Sequence, residues 1–412
     1  MKKLLIISFD LIRDGEPSVS LSIASILSYL KSRKTYGLEF IVEHYSFNMF
    51  DIYPLNIDAY TGTLQLNEID SIALSCYVWN ESIINQFIAK VKGLGFKGKV
   101  ILGGYQVSYS SKIKLRYEYP ECDVFIFGYA ESSMLEAILI DKPKNPIFLN
   151  KSINFEDIPS VYLTEEVPVV KNQGMLRLET KRGCPYKCSF CAHRDLIKNK
   201  VYNHEQEKII KELLFFKEKN VGRINVLDPI FNMGAYYLGY LREIYDIDLK
   251  SKVCLQARFE IIKGDAGSEF LDASEKINSH LEFGIQTLIP EEYKVIKRIN
   301  NKKVISGVIR ELNERGISYE VSLIYGLPNQ TLDSFRYNID FLQSIGCFNI
   351  TAYPLMLLKG TELYDKKYFY NFVEKEVGDF NIPTVVSSNS FTEKEWLEMK
   401  RIGNTLQTSN RL

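Results

Sequence analysis

Three cysteines fall within eight positions of this chain, in Arg182-Gly183-Cys184-Pro185-Tyr186-Lys187-Cys188-Ser189-Phe190-Cys191-Ala192-His193. Their spacing is C-x3-C-x2-C, on one short loop. Thiolates are the soft ligands that iron–sulfur clusters require. Three of them hold three corners of a [4Fe–4S] cluster and leave the fourth iron without a protein ligand. An open iron is a place for chemistry, so the loop predicts an enzyme and not merely an electron carrier. A Cys3His zinc site built from Cys184, Cys188, Cys191 and His193 is the competing reading, and it would be four-coordinate and closed. No second C-x2-C or H-x3-H pair supports it, and His193 follows Cys191 too closely to wrap comfortably around the same ion. Seven cysteines, four of them scattered singly, also argue against a disulfide framework.

The elements that position this loop follow from hydrophobic periodicity. Over residues 1–142, strand-like runs (Lys3–Ser8, Phe40–Tyr45, Ser71–Ser75, Val100–Leu102, Val124–Phe127) alternate with helical ones (Ser18–Lys31, Ser82–Leu94). Glycines stand just past several strand ends. That pattern predicts an α/β, doubly wound, Rossmann-like domain with a parallel sheet. Such sheets bind ligands at the carboxyl ends of their strands. Here that edge carries Asp10, Ser75-Cys76-Tyr77, Gly103-Gly104 and Gly128-Tyr129-Ala130-Glu131, which makes Ser75, Gly103 and Gly104 candidates for cofactor contact. For any one glycine, a tight turn is the simpler account.

Residues 143–172, with Pro143, Pro146, Pro159 and Pro168, read as a linker. A second β/α series occupies residues 173–365. Its strands are Leu176–Thr180 into the cysteine loop, Arg223–Leu227, Val253–Phe259, Leu281–Gly284, Tyr319–Ile324 and Asn349–Ala352. Six parallel strands with helices between them predict a partial (β/α)6 barrel whose chemistry sits at the C-terminal strand ends. Residues 366–412 read as a short, α-rich C-terminal tail or cap.

Composition narrows the partners. Lys plus Arg and Asp plus Glu are 51 each, so net charge gives no reason to expect nucleic acid or an anionic membrane. No apolar run approaches the roughly 18 residues of a membrane span. Lys2-Lys3 and the short apolar run after it meet Asp10 and Arg13 too soon for a signal peptide. A cytoplasmic location is expected, where a reducing compartment would suit an oxygen-sensitive cluster.

The cysteine loop at the end of a first barrel strand resembles the signature of radical S-adenosylmethionine (SAM) enzymes, and the lead-in Glu179-Thr180-Lys181-Arg182-Gly183-Cys184-Pro185 strengthens the likeness. The preceding domain is similar to the cobalamin (B12)-binding-type domain of a large branch of that superfamily. Ser75-Cys76-Tyr77-Val78-Trp79-Asn80, Leu102-Gly103-Gly104-Tyr105-Gln106 and Phe127-Gly128-Tyr129-Ala130-Glu131 carry that second likeness. Asp228-Pro229-Ile230-Phe231-Asn232, Phe283-Gly284-Ile285-Gln286-Thr287 and Tyr325-Gly326-Leu327-Pro328 extend it along the barrel.

The resemblance implies a [4Fe–4S] cluster on Cys184, Cys188 and Cys191 whose open iron chelates S-adenosylmethionine. Reductive cleavage would then yield a 5′-deoxyadenosyl radical that abstracts hydrogen from an unactivated carbon. It also implies site residues. Phe190 would pack near the adenine or else fill the barrel mouth. Asp228 would lie near the methionine amino group or cap a helix. Arg258 would pair with the methionine carboxylate or with a barrel acid. Glu282 and Gln286 would contact ribose or carboxylate, and Gly326 would admit the adenine or make a turn. His44, His204 and His280 show no catalytic constellation.

The favoured reaction is cobalamin-dependent C-methyl transfer to a peptide or other natural-product substrate, with flavodoxin or ferredoxin as reductant. The first domain lacks Asp-x-His-x-x-Gly, so it offers no histidine as lower cobalt ligand. Epimerisation, dehydrogenation or rearrangement without cobalamin is the alternative, and a non-catalytic cluster protein a further one. Epimerisation needs a hydrogen-donating thiol, for which Cys76 at a strand end is the best placed. A methylthiotransferase would need three further cluster cysteines in the first domain, where only Cys76 and Cys122 occur.

Overall fold

The computed structural model describes residues 1–51, 57–62, 64–193, 200–378, 380 and 382–409. The chain divides into two compact units, Met1–Val170 and Lys171 onward, with Phe380 grouping with the first.

In the first unit, β1 (Lys2–Asp10), β2 (Phe40–Asn48), β3 (Ser71–Ser75), β4 (Lys99–Gly103), β5 (Val124–Ile126) and β6 (Ile147–Leu149) form one sheet in the order β2-β1-β3-β4-β5-β6. Every pairing is parallel. β1 shows why: Leu4 and Ile6 enter one apolar layer with Ile23, Leu27 and Leu30, while Leu5, Ile7 and Phe9 enter another with Ile84, Phe87 and Val91. A strand buried on both faces reads as a continuous apolar run. Each such large side chain contributes about 1.5–3 kcal/mol of burial. Strand order reverses between β1 and β3, the position at which sheets of this type open a crevice.

The segment expected to be a linker contributes β6. Ile147-Phe148-Leu149 pairs in register with Val124-Phe125-Ile126, and Phe148 stacks on Phe125 at 5.2 Å. The preceding Pro143 and Pro146 hid a strand too short to show alternation.

In the second unit, β7 (Met175–Leu178), β8 (Lys181–Arg182), β9 (Tyr202–Asn203), β10 (Arg223–Val226), β11 (Lys252–Ala257), β12 (Ser279–Gln286), β13 (Ser318–Tyr325), β14 (Ile350–Pro354), β15 (Val373–Val377) and β16 (Ile382–Ser387) follow in order. The six long parallel strands run β14-β13-β12-β11-β10-β7, the partial barrel the sequence predicts. One face is apolar: Leu176, Leu178, Ile224, Val226, Leu255, Leu281, Phe283, Val321 and Leu323 are all buried. The helix Lys302–Glu314 shows the matching stripe of Ile305, Val308, Ile309 and Leu312, and Asn301 caps its start by accepting from Lys303 N at 3.0 Å and Val304 N at 3.3 Å. The opposite face of the strands is polar and half-buried, unlike a barrel interior packed with branched apolar residues.

The C-terminal part holds a long helix, Glu393–Ser409, preceded by the antiparallel hairpin β15–β16 that the sequence reading did not foresee. The small pair β8–β9, also unforeseen, brackets the cysteine loop.

Candidate active site at the cysteine loop

Beyond Leu178 the backbone turns into β8, and β8 pairs antiparallel with β9 so that the cysteine loop leaves from a fixed base. Gly183 begins the loop at φ +88°, and a Cβ there would stand 2.2 Å from Lys200 O. Only glycine fits both the left-handed conformation and that contact. Cys184 and Cys188 are buried and Cys191 is half-buried. Ser189 ties the loop down from its middle: its N–H donates to Ile296 O at 2.9 Å, its Oγ to Val295 O at 3.0 Å, and its carbonyl accepts from Leu363 N at 3.0 Å.

Burial pushes the Cys184 thiol up and the Cys191 thiol to about 11, so metal binding must displace protons from them. Among the described residues, no group of three or more His, Cys, Asp or Glu side chains converges as ligands of one ion would. Tetrahedral zinc would bring its sulfurs within about 3.8 Å of one another. Three thiols on one loop with two guanidinium groups, Arg258 and Arg298, beside them suit the larger, anionic centre that three cysteines of a cluster hold.

Asp228 is fully buried at the end of β10. Its Oδ1 accepts from Thr180 N at 2.8 Å and Lys181 N at 3.1 Å, and Oδ2 accepts from Thr180 Oγ1. Burial pushes its carboxyl up to about 6, against the pull of Lys181. The carboxylate is committed to the lead-in of the cysteine loop, and among the described residues it caps no helix. Lys181 in turn donates to Phe231 O at 3.0 Å and Met233 O at 2.5 Å.

A second brace joins Glu179, Arg182 and His204. Glu179 Oε2 lies 2.6 Å from Arg182 Nε and 3.1 Å from His204 Nε2. Burial opposes ionisation of Glu179, yet Arg182 and His204 hold it below the ordinary carboxylate range. His204, which showed no constellation in the sequence, is thus a buried support of the loop. Its partner stands far upstream in sequence, and neither flank signals the pairing.

Arg258 follows β11 and lies over the Tyr186 ring of the cysteine loop at 3.9 Å. Its Nε donates to Glu260 Oε2 at 3.1 Å, and its Nη1 is buried with no hydrogen-bond partner among the described residues. Arg298, absent from the sequence reading, donates from Nη2 to Gly284 O and hydrogen-bonds Cys188, while its Nε is buried and unpartnered. Lys297-Arg298-Ile299-Asn300 reads as a surface turn, so only the fold reveals it. Gln286 sits at φ +70° on a bulge against β13, and its amide folds back over Gly284, where a Cβ would lie 2.5 Å from Nε2.

The other candidates are placed differently. Phe190 is half-buried on the loop between Ser189 and Cys191. Glu282 lies midway along β12, four residues before Gln286, with Arg223 Nη2 3.8 Å away; it is not at the strand's C-terminal end beside the loop. Gly326 adopts φ +88° in a turn held by Gln330, whose Oε1 accepts from Gly326 N at 2.7 Å and Leu327 N at 3.2 Å. Gln330 joins the buried Glu292, which also accepts from Thr287 Oγ1 at 2.6 Å and from Ser334 Oγ. This network fixes the loops after β12 and β13.

In the first unit, Ser75 ends β3 and its carbonyl accepts from Asn80 Nδ2 at 3.1 Å. Tyr77 and Trp79 stack just beyond it at 4.6 Å. Gly104 has φ +97°, and a Cβ there would lie 2.6 Å from Cys76 O and 2.7 Å from Cys76 N; backbone packing accounts for this glycine. Gly103 ends β4 at ordinary contact distance from Ile126. Cys76 is fully buried, its Sγ 3.4 Å from Tyr119 Oη, as expected of an inert packing cysteine and not of an exposed hydrogen donor.

Residues 178–342 match the radical SAM superfamily, and the chain carries a radical SAM domain. It is similar to the cobalamin-dependent radical SAM methyltransferase TokK of Streptomyces tokunonensis, 25% identical over 328 residues, covering 72% of this chain and 48% of that protein. The chain spans about half the length of the curated relatives it matches. Its fold is that of the radical SAM methyltransferase TsrM from Kitasatospora setae, at TM-score 0.67 and 15% identity, covering 89% of this chain and 76% of that one. It is also that of the cobalamin-dependent SAM radical enzyme OxsB, at TM-score 0.69 and 14% identity, covering 97% and 66%. Among the described residues, no helix is long and apolar enough to cross a membrane.

Proposed function

We propose that this chain, which carries a radical SAM domain, uses a [4Fe–4S] cluster on Cys184, Cys188 and Cys191 to cleave S-adenosylmethionine and methylates an unactivated carbon of a small-molecule or peptide natural product, with cobalamin held by its first unit. The observation that carries this reading is the pair of guanidinium groups beside the loop, the buried Arg258 on Tyr186 and the half-buried Arg298 near Cys188, each with a buried N–H left unpartnered among the described residues. Unsatisfied buried donors are costly, and a carboxylate is the group that matches them.

The bound cofactors supply the carbon radical and the methyl group. The protein's residues bind and orient. Arg258 and Arg298 receive the methionine carboxylate of S-adenosylmethionine. Gln286, raised on its bulge, offers an amide to the ribose, and Phe190 offers a ring to the adenine. Asp228 and Glu179 contact no cofactor; they hold Thr180, Lys181 and Arg182 so that the three thiols keep their spacing. At the crevice of the first unit, Asp10, Ser75 and the Tyr77–Trp79 stack line the strand ends available to a corrin. The low-potential electron would come from a flavodoxin or ferredoxin.

The relatives support methyl transfer over epimerisation. The four cysteines outside the loop, Cys76, Cys122, Cys254 and Cys347, are all buried, so no exposed thiol stands ready to donate hydrogen. Anaerobic reconstitution with cluster and hydroxocobalamin, followed by gel filtration and an absorption spectrum, tests the reading. Corrinoid bands that remain with the protein in about one-to-one ratio support it, and their complete loss removes cobalamin from the mechanism.

A further inference from the structure

The polar face of the barrel strands carries an arrangement that cofactor binding leaves unused. Residues paired in register share a face of a parallel sheet, so Glu282 of β12 and Glu320 of β13 stand side by side. Like charges abreast on neighbouring strands repel, and burial reinforced by Glu320 raises the Glu282 carboxyl. Among the described residues their nearest basic neighbours are loose. Arg223 Nη2 lies 3.8 Å from Glu282 Oε1, and His280 Nε2 lies 3.8 Å from Glu320 Oε2. Both are committed elsewhere: Arg223 Nε donates to Asn225 Oδ1 at 2.7 Å, and His280 Nδ1 lies 2.7 Å from Ser318 Oγ.

Further along the same face, Ser322 pairs in register with Thr351. Thr351 is 7% exposed, and its Oγ1 is buried with no hydrogen-bond partner among the described residues. A buried hydroxyl without a partner costs free energy until something bonds it. Two carboxylates with no tight cation among the described residues and an unused hydroxyl therefore share this face of the sheet. Glu282 also lies about 13 Å of strand before Gln286, which separates the carboxylates from the end of β12.

We infer that this polar face recognises an ammonium group of the substrate, seated between Glu282 and Glu320 with Thr351 Oγ1 accepting one of its N–H bonds. The inference rests on the proposed methyl transfer for the chemistry and adds the substrate class: a small molecule or peptide end bearing an unacylated primary amine. A bare metal ion is a poorer occupant, because among the described residues no three His, Cys, Asp or Glu side chains converge as a ligand set.

The test uses the anaerobically reconstituted full chain, oxidised and with S-adenosylmethionine in excess to fill its own site. n-Butylammonium and the neutral n-butanol are titrated by saturation-transfer difference NMR. The wild type binds the ammonium at least about tenfold more tightly. Glu282→Gln and Glu320→Gln each reduce that preference, and the double variant abolishes it. Thr351→Val weakens ammonium binding roughly twofold to fivefold, while Glu282→Asp keeps the preference and so reports on charge, not on folding. Equal binding of the two probes by wild type, or a preference that survives in the folded double variant, overturns the inference. The same wild-type preparation is then reduced and assayed for 5′-deoxyadenosine. A protein that prefers the ammonium but forms no 5′-deoxyadenosine refutes the radical reading and leaves the ammonium site standing; one that forms it without any preference does the reverse.

Discussion

Asp228, at the end of β10, accepts both the backbone N–H and the hydroxyl of Thr180, at the far end of β7. A single buried carboxylate thereby fixes where the cysteine loop departs. Asp228→Asn keeps the shape but removes the charge facing Lys181, and breaking a buried pair in this way costs about 3 kcal/mol. We expect a lower melting temperature by circular dichroism and a reduced iron content after reconstitution. Unchanged values for both would show that the lead-in is held by something else.

Gly183 is predicted to be irreplaceable for a local reason. In Gly183→Ala the new Cβ meets Lys200 O, and the left-handed backbone itself costs on the order of 1–3 kcal/mol for a non-glycine residue. The damage should concentrate in the loop. Iron retained per chain, measured by colorimetric assay, should fall by more than half, with far-UV circular dichroism of the rest preserved.

Gly104→Ala distinguishes packing from ligand cradling in the first unit. Because the added Cβ would press on the Cys76 backbone, this variant should lose stability in the complete absence of cobalamin, by about 2 kcal/mol or more. Chemical denaturation monitored by Trp79 fluorescence reads it. An apoprotein of wild-type stability would return the glycine to a ligand-binding role.

Lys99 gives a pH dependence with a definite sign. Its ammonium is buried against Ile138 O and Ile140 O, and burial lowers it to about 8. The unfolded chain keeps its proton up to the ordinary lysine range, so between pH 8 and about 10 the unfolded state binds more protons. This residue therefore makes the protein more stable as pH rises through that window. Lys99→Met should flatten that part of the slope when denaturation midpoints are compared pH by pH; parallel curves would contradict the assignment.

Much of the architecture was legible because its signals are local. Glycine after strand, apolar run before it and helical spacing between them gave both α/β series, and C-x3-C-x2-C named the loop. β6 escaped because three residues just after two prolines carry no period. The supports of the site escaped for a different reason. Glu179 with His204, Asp228 with Thr180 and Arg298 with Cys188 are partners remote in sequence, brought together only when barrel strands align. Glu282 illustrates the converse: its residue type suited a cofactor contact, but register places it midway along β12, beside Glu320. Gly104 carried a motif's appearance, and its close approach to Cys76 explains it.

The central claim is that Cys184, Cys188 and Cys191 hold a cluster that cleaves S-adenosylmethionine. The most direct measurement is 5′-deoxyadenosine formed per chain after anaerobic reconstitution and reduction, compared between wild type and the three single alanine variants. The account predicts product from the wild type, with iron and sulfide near the four of each that the cluster contains, and none above background from any variant. Zinc in place of iron in anaerobic preparations, or undiminished cleavage by any one of the three variants, would contradict it.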